Sequence, residues 1–572
     1  MSSSVIRTIP ARCRDCYRCV RTCAVKAIRV QDGQAQVVPE LCIACGDCVL
    51  ACPQGAKTVR DDRPDVQQAI REGRKVVASV APSAPAYFGL TVFSQMEEAL
   101  KSLGFAAADE TAFGAEMVGH AHRDYVEQHP DLWPLITSSC PVVVDLIEKY
   151  HPDLLPHLAP IVSPMIAHGR WMREKYGDDA LIVFIGPCIA KKGEIREEAV
   201  AGAVDAALTF KELEEWMADE HVTFAPVAGE REHIPATAAR LFPVEGGLVG
   251  TANMNTDMLT SHIVVASGLE ACEDVLNGIR SGKLGACLVE LMACEGGCIN
   301  GPAMGDIEGG AFVARQRVID YAARRQPKPL PTREEWPSLA RAYQDKRTPV
   351  PEFTEEQIQE VLHRVEKYSP EDELNCGACG YPTCRDKAIA TLRNMAEATM
   401  CIPYMRRRAE SLRQVVMDVT PNAIVIVDTN LNIQDMSPSA ERMFNCRLPG
   451  VVGKPLETII QHPDDFIQVR DTGLPIAGKT LHIRDDLITE QTIVRVPDEN
   501  LLVGILRDVT EREHQLEHLN RIRTETLQRT QEVVNKQMRV AHEIAQLLGE
   551  TTAESKMMLS RLAKLLEEGN GK

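Results

Sequence analysis

The sequence predicts a multidomain chain of mixed α/β and α+β units, and three observations carry that reading. The chain has 572 residues and a formal net charge of -18, which is too long for one hydrophobic core. Its 19 cysteines concentrate in residues 1 to about 60 and again from about 370 to 405. The hydrophobic texture also changes along the chain: VVASVAP (76–82) and LIVFIG (181–186) are strand-like runs alternating with helical patterns over 65–345. Residues 410–512 read as short strands and helices, and from Asp508 to Leu548 the chain is charged and nearly free of Gly and Pro, as a long helix requires. A Pro-rich stretch, RRQPKPLPTREEWP (324–337), wraps the end of the central unit. The expected units are 1–62, 65–345, 355–407, 408–512 and 513–570.

An acidic balance without a basic block argues against nucleic acid or anionic membrane surfaces as partners. No run approaches the ~18 apolar residues of a membrane span. The start, MSSSVIRTIPARC, has neither an apolar signal region nor a twin-arginine pair, so the cytoplasm is the expected compartment. There, clustered cysteines serve as metal ligands more often than as disulfides.

Cys13, Cys16, Cys19 and Cys23 repeat the spacing of Cys42, Cys45, Cys48 and Cys52, and Pro53 follows the second set. This is the pattern of bacterial two-cluster ferredoxins, in which the fourth cysteine of each run ligates the other cluster. One [4Fe-4S] cluster is therefore expected on Cys13, Cys16, Cys19 and Cys52, and a second on Cys42, Cys45, Cys48 and Cys23. A zinc ribbon rarely needs three thiolates at such intervals plus a fourth.

Four more cysteines lie in TSSCP (137–141), GPCIAKKGE (186–194) and ELMACEGGCINGP (290–302). On these motifs, residues 1–345 resemble the [FeFe]-hydrogenases. The resemblance implies that Cys140, Cys188, Cys294 and Cys298 hold a cubane, and that Cys298 bridges it to a two-iron subcluster carrying CO, CN and a bridging dithiolate. It also implies that Lys191 hydrogen-bonds a cyanide and that Met292 packs against the two irons. Iron-sulfur assembly proteins of the same superfamily keep the cysteines without the two-iron centre, but Lys191 and Met292 have no purpose there.

Departures from that family concern protons. Its first motif normally reads TSCCP, and the cysteine that relays protons is replaced by Ser139. A thiol ionises near pH ~8.5, and an aliphatic hydroxyl is a far weaker acid. Counting from Cys140 puts Ala159 at the family's relay serine, and the preceding helix places His122 and Tyr125 where two glutamates are usual. Gly186 replaces a methionine, which should open room beside the cluster. Low turnover is the expectation.

NCGACGYPTCRDKAIA, with Cys376, Cys379 and Cys384 preceding Cys401, resembles the small helical four-cysteine [4Fe-4S] domain of corrinoid and electron-transfer proteins. Cys272, Cys287 and Cys446 read as buried hydrophobes. The stretch from SLRQVVMDVTPNAIVIVDTN to LLVGILRDVTERE (501–513) resembles a PAS domain. Val533, Gln537, Val540, Ile544 and Leu547 form an a/d seam for a two-stranded coiled coil, which predicts a homodimer. His542 faintly resembles a kinase phosphoacceptor, but the solvent-facing reading is preferred.

These readings imply a sensory [FeFe]-hydrogenase with four [4Fe-4S] clusters. It would bind or slowly oxidise H2 to protons and electrons, exchange electrons with a partner such as ferredoxin, and signal to a kinase, phosphatase or regulator. The alternatives are a catalytic ferredoxin-linked hydrogenase and a non-enzymatic iron-sulfur redox sensor.

Overall fold

Two parallel sheets fix where the central cysteines can meet. The first has four strands in the spatial order Ala107–Glu110, Val76–Val80, Leu181–Gly186, Ala206–Thr209, and the second has three, Ile263–Ser267, Leu288–Met292, Leu135–Ile136. Val76–Val80, Leu181–Gly186, Ala206–Thr209 and Leu288–Met292 are buried along their whole length, as near-continuous Val/Ile/Leu runs in covered parallel sheets should be. In open parallel sheets, ligands bind beyond the carboxyl ends of the strands. Each cysteine motif of the central unit begins there: Cys188 follows Gly186, Cys140 follows Ile136, and Cys294 follows Met292.

The computed structural model describes residues 4–224, 238–254, 262–323, 336–484, 486–496, 499–548 and 553–568. Most of the Pro-rich stretch, 324–335, lies outside them. The chain divides into two compact units, Met1–Met405 and Arg406–Lys572, so all three cysteine-bearing segments belong to one body. Within it, the N-terminal segment forms two antiparallel pairs, Ile6–Thr8 with Lys57–Val59 and Ile28–Gln31 with Gln34–Val37. The segment after 335 runs back over the central unit. The N–H of Val162 donates to Leu339 O, the N–H of Arg341 to Pro160 O, and the N–H of Lys346 to Glu148 O.

The segment 355–405 carries the helices Glu355–His363 and Cys384–Leu392. It shares a hydrophobic core with the N-terminal segment, in which Tyr17, Val20 and Ile28 meet Tyr381, Met395 and Met400. Gly380 makes this approach feasible: at φ +94°, a Cβ there would stand 2.9 Å from Val20 Cγ1 and 3.0 Å from Arg21 N.

In the second unit, five antiparallel strands order as Ile433–Met436, Ala423–Asp428, Leu501–Asp508, Leu487–Val496, Ile476–Arg484. Asp428 Oδ1 accepts the N–H groups of Asn430 and Asn432 and shapes the turn between Ala423–Asp428 and Ile433–Met436. Phe466 fills the space that Gly504 leaves on the sheet, where a Cβ would come within 2.3 Å of its ring. The last strand passes into the helix Thr510–Leu548 through a tied joint: Thr510 Oγ1 donates to Asp508 Oδ1 at 2.6 Å and accepts the N–H of Ile488 at 2.9 Å. Val533, Val540 and Ile544 are exposed on that helix, and Leu547, the last position of the seam, lies outside the residues whose side chains are described. A second helix spans Ala553–Glu568. Among the described residues, no helix is long and apolar enough to cross a membrane.

Candidate functional site

Beyond the strand ends lies a cavity of about 90 Å³ lined by Cys140, Cys188, Cys298, Lys191, Met292 and Ser139, among others. Cys294 is within electrostatic reach of Cys298, Cys188 and Cys140, so the three separated motifs converge. Burial is the main influence on Cys298, Cys188 and Cys294. It pushes Cys298 up to about 12 and Cys188 up to about 11, and raises Cys294 well above its ordinary value. Bare, Cys298, Cys188 and Cys294 stay neutral, and a bound cationic metal group would take the place of their protons.

Among the described residues, no three His, Cys, Asp or Glu side chains close tightly enough to hold a single metal ion. A cubane binds each thiolate through a different iron, and four converging thiols are the donor set it takes. Ser139 lines the cavity, and its hydroxyl is buried with no hydrogen-bond partner among the described residues. An orphaned buried hydroxyl costs roughly 1–3 kcal/mol, which fits a group that would accept its hydrogen bond when bound.

Lys191 is 8% exposed, and its Nζ donates to Glu194 Oε2 at 2.7 Å. Glu194, 2% exposed, also pairs through Oε1 with Arg341 at 3.2 Å. Burial works against its charge, but the two cations outweigh burial and hold its carboxyl below the ordinary value. Arg341 in turn pairs with Glu197, Glu197 with Lys346, and Lys346 with Glu148. The ammonium at the cavity wall therefore begins a charge-balanced chain reaching into the returning segment. Nothing in the motif PCxxKxxE reveals Arg341, which arrives from about 150 residues away in sequence.

The positions expected to relay protons are poorly equipped. His122 is fully buried, with Nδ1 against Val118 O at 2.8 Å and Nε2 3.4 Å from both the N–H and the Oγ of Ser138. Burial brings its pKa down to about 4, so it is neutral at physiological pH and adjoins Ser138 rather than Ser139. Ala159 is buried and offers only a methyl group. Tyr125 stacks on His129 with ring centroids 4.1 Å apart.

Two cavity residues escaped the sequence reading. Gly186 does not open room: a Cβ there would stand 2.5 Å from Phe184 Cζ, and the Phe184 ring, two residues earlier on the same strand face, lines the cavity. Glu290 also lines it, 3% exposed, and accepts the N–H groups of Leu248 at 3.3 Å and Val249 at 3.1 Å. Burial, opposed by these hydrogen bonds, raises its pKa to about 7. An acid in the middle of the apolar strand LVELM was the available signal.

Elsewhere the thiols fall into sets. Cys19 feels Cys13, Cys16 and Cys52, whereas Cys42, Cys45 and Cys48 all feel Cys23. Asp47 lies within reach of both Cys45 and Cys294, which sets the second of these groups beside the central cavity. Cys376, Cys379, Cys384 and Cys401 line a smaller cavity of about 20 Å³. Cys272 is buried with its thiol 3.5 Å from Met292 O, and the Cys446 sulfur lies 3.9 Å from that of Met436; both are packing residues.

A chain with two-cluster ferredoxin, hydrogenase, further iron-sulfur and PAS segments is thus defined by fold and site together. Residues 74–302 match the C-terminal domain of the iron only hydrogenase large subunit, residues 12–56 a 4Fe-4S dicluster domain, 372–403 an Fe-S cluster domain and 410–478 a PAS domain. Through its central domain the chain is similar to the [FeFe]-hydrogenases. It is similar to the periplasmic [Fe] hydrogenase large subunit of Nitratidesulfovibrio vulgaris, 28% identical over 300 residues, covering 42% of this chain and 70% of that protein. With iron hydrogenase 1 of Clostridium pasteurianum it is 27% identical over 294 residues, 41% of this chain and 51% of the relative, so it spans about half that protein's length. A nuclear prelamin A recognition factor of Xenopus laevis is 23% identical over 363 residues, covering 51% of this chain and 79% of that one. A solved apo [FeFe]-hydrogenase of Chlamydomonas reinhardtii aligns with TM-score 0.40 at 19% identity, over 50% of this chain and 99% of that one.

Proposed function

We propose that the protein is a sensory [FeFe]-hydrogenase of low turnover, which binds or slowly oxidises H2 and passes the result to a regulatory partner through its PAS domain and C-terminal helix. One observation carries this reading: the cavity is walled by Cys140, Cys188, Cys298, Lys191 and Met292 while the usual proton donor is the orphaned hydroxyl of Ser139. Cys140, Cys188, Cys294 and Cys298 would hold the cubane, with Cys298 shared by the two-iron subcluster. When bound, that subcluster supplies the heterolysis of H2. The rest of the work falls to the chain. Lys191 offers its ammonium to an anionic ligand, Met292 and Phe184 exclude water, and Glu290, near pH 7, takes or gives a proton at its carboxyl. Cys13, Cys16, Cys19 and Cys52, then Cys42, Cys45, Cys48 and Cys23, and then Cys376, Cys379, Cys384 and Cys401, would hold the three remaining cubanes.

Infrared spectroscopy of the matured protein is the direct test: CO and CN bands are expected, and their absence refutes the two-iron site. Hydrogen turnover then separates sensor from metabolic enzyme, because rates in the usual metabolic range would overturn the sensory reading. A second reading, an iron-sulfur redox sensor without the two-iron centre, draws on the missing relay at Ala159 and His122 and predicts a spectrum without those bands.

A further inference from the structure

The cavity around Cys376, Cys379, Cys384 and Cys401 contains an ammonium without a counter-charge among the described residues. Lys387 lines it, one helical turn after Cys384, and is 4% exposed. Its Nζ is buried with no hydrogen-bond partner among the described residues. The Tyr381 hydroxyl, lining the same cavity, is also buried and unpartnered among them. No Asp or Glu among the described residues lines this cavity, and the other lysine there, Lys367, is committed to Asp372 O at 2.5 Å. Burial lowers the pKa of Lys387, and Cys401, Cys379 and Cys384 oppose this as its nearest negative groups. An isolated buried charge is too costly to keep without compensation. A group carried by the four thiolates is placed to supply that compensation.

We propose that Lys387 is the counter-charge that sets the reduction potential of the cubane held by Cys376, Cys379, Cys384 and Cys401, favouring its reduced form. The change it favours is one electron in, with no bond to a cysteine made or broken and the added negative charge balanced by a fixed ammonium. Two features of placement give this tuning a use. Cys379 and Cys23 both lie within reach of Lys26 and Tyr381, so this cysteine set adjoins the inner set of the N-terminal segment across the Val20–Gly380 contact. Cys401 is followed directly by the helix Ile402–Val419, the connection toward the PAS strands, and negative charge at a helix start is favourable. The inference rests on the reading of these four cysteines as a cluster site and needs no hydrogen chemistry.

The test is a dithionite titration of the full-length protein, with its cubanes reconstituted and the two-iron subcluster left out, followed by electron paramagnetic resonance with iron content measured in parallel. In Lys387→Met, one transition alone should move to lower potential, its reduced-to-oxidised ratio at fixed potential falling about tenfold or more, which is about 59 mV for a one-electron couple. Lys387→Arg should leave that transition near its original value. If no transition moves while all four cubanes are retained, or if arginine moves it as far as methionine, the proposal is overturned. Should Lys387→Met fail to hold its cubane, the comparison passes to Lys387→Gln against Lys387→Arg, and equal potentials in that pair overturn it as well. A parent protein lacking iron at this site would instead sink the cluster reading beneath it.

Discussion

Lys191 and Lys387 are both buried ammonium groups beside convergent cysteines, yet the protein treats their charges in opposite ways. Lys191 starts a chain of alternating charges through Glu194, Arg341, Glu197, Lys346 and Glu148, in a cavity that also contains a carboxyl and an unused hydroxyl. Lys387 lies in a cavity lined by the four thiols and by apolar and neutral polar side chains, with Lys367 but no carboxylate among the described residues. A balanced cation contributes a directed hydrogen bond and little net field, which suits holding a ligand in place. An unbalanced one contributes field, which suits storing charge. The first cavity thus joins a balanced cation to a titratable carboxyl, and the second holds a cation that an added electron would balance.

The largest expected effect follows from breaking the balance. Glu194→Ala leaves Lys191 unpaired and Arg341 with Glu197 alone, and removing one member of a buried ion network costs about 3–5 kcal/mol. A denaturant midpoint well below that of the parent is expected; an unchanged midpoint would show that the two cations need no carboxylate. The Glu290 carboxyl gives the next largest effect. Its folded pKa is raised from the ordinary 4.5 to about 7, so the folded state keeps a proton that the unfolded chain has released between those pH values. That contribution to stability is fully present below pH 4.5 and is lost as pH rises to 7, a slope of ~1.4 kcal/mol per pH unit and roughly 3 kcal/mol in all. Glu290→Gln should flatten this part of the stability profile, and an identical profile would place the titration elsewhere.

A smaller effect probes how the Lys387 cavity is attached. Gly380→Ala forces a side chain onto a backbone at φ +94° and into Val20 and Arg21, at a cost of about 1–3 kcal/mol. The N–H of Val30, which donates to Met395 O at 2.9 Å, should exchange with solvent faster, while amides of the Val76–Val80 strand keep their protection.

The sequence disclosed the cysteines because their spacing is local, and each parallel strand delivers its motif at a carboxyl end. It disclosed much less about what surrounds them. Arg341 reaches Glu194 only because the segment after 335 folds back, and Phe184 fills the place of a Gly186 side chain only because alternate residues of a strand share a face. Lys387 in CRDKAIA looks like one more helix-surface lysine, although its position one turn after Cys384 put it on the cluster face and was readable. Glu290 was readable too, as a lone acid in a buried strand. The seam from Val533 to Leu547 is periodic in sequence, but periodicity describes one face of one helix and says nothing of the surface that covers it.

Ser139→Cys gives the smallest expected effect and bears most directly on the Lys191 cavity. Ser139 lines the cavity and its hydroxyl makes no hydrogen bond among the described residues, so a thiol there breaks no contact and adds a far better proton donor. If that step limits turnover, matured Ser139→Cys should release or consume hydrogen roughly tenfold faster, equivalent to ~1.4 kcal/mol of barrier. The positions read as further relay members, Ala159 and His122, offer no proton donor at physiological pH, whereas Glu290 lines the same cavity with a carboxyl. Combining Ser139→Cys with Glu290→Gln separates the two routes. A gain that survives the second substitution assigns the new proton path to the thiol side, and a gain abolished by it shows that the thiol works only by handing protons to Glu290.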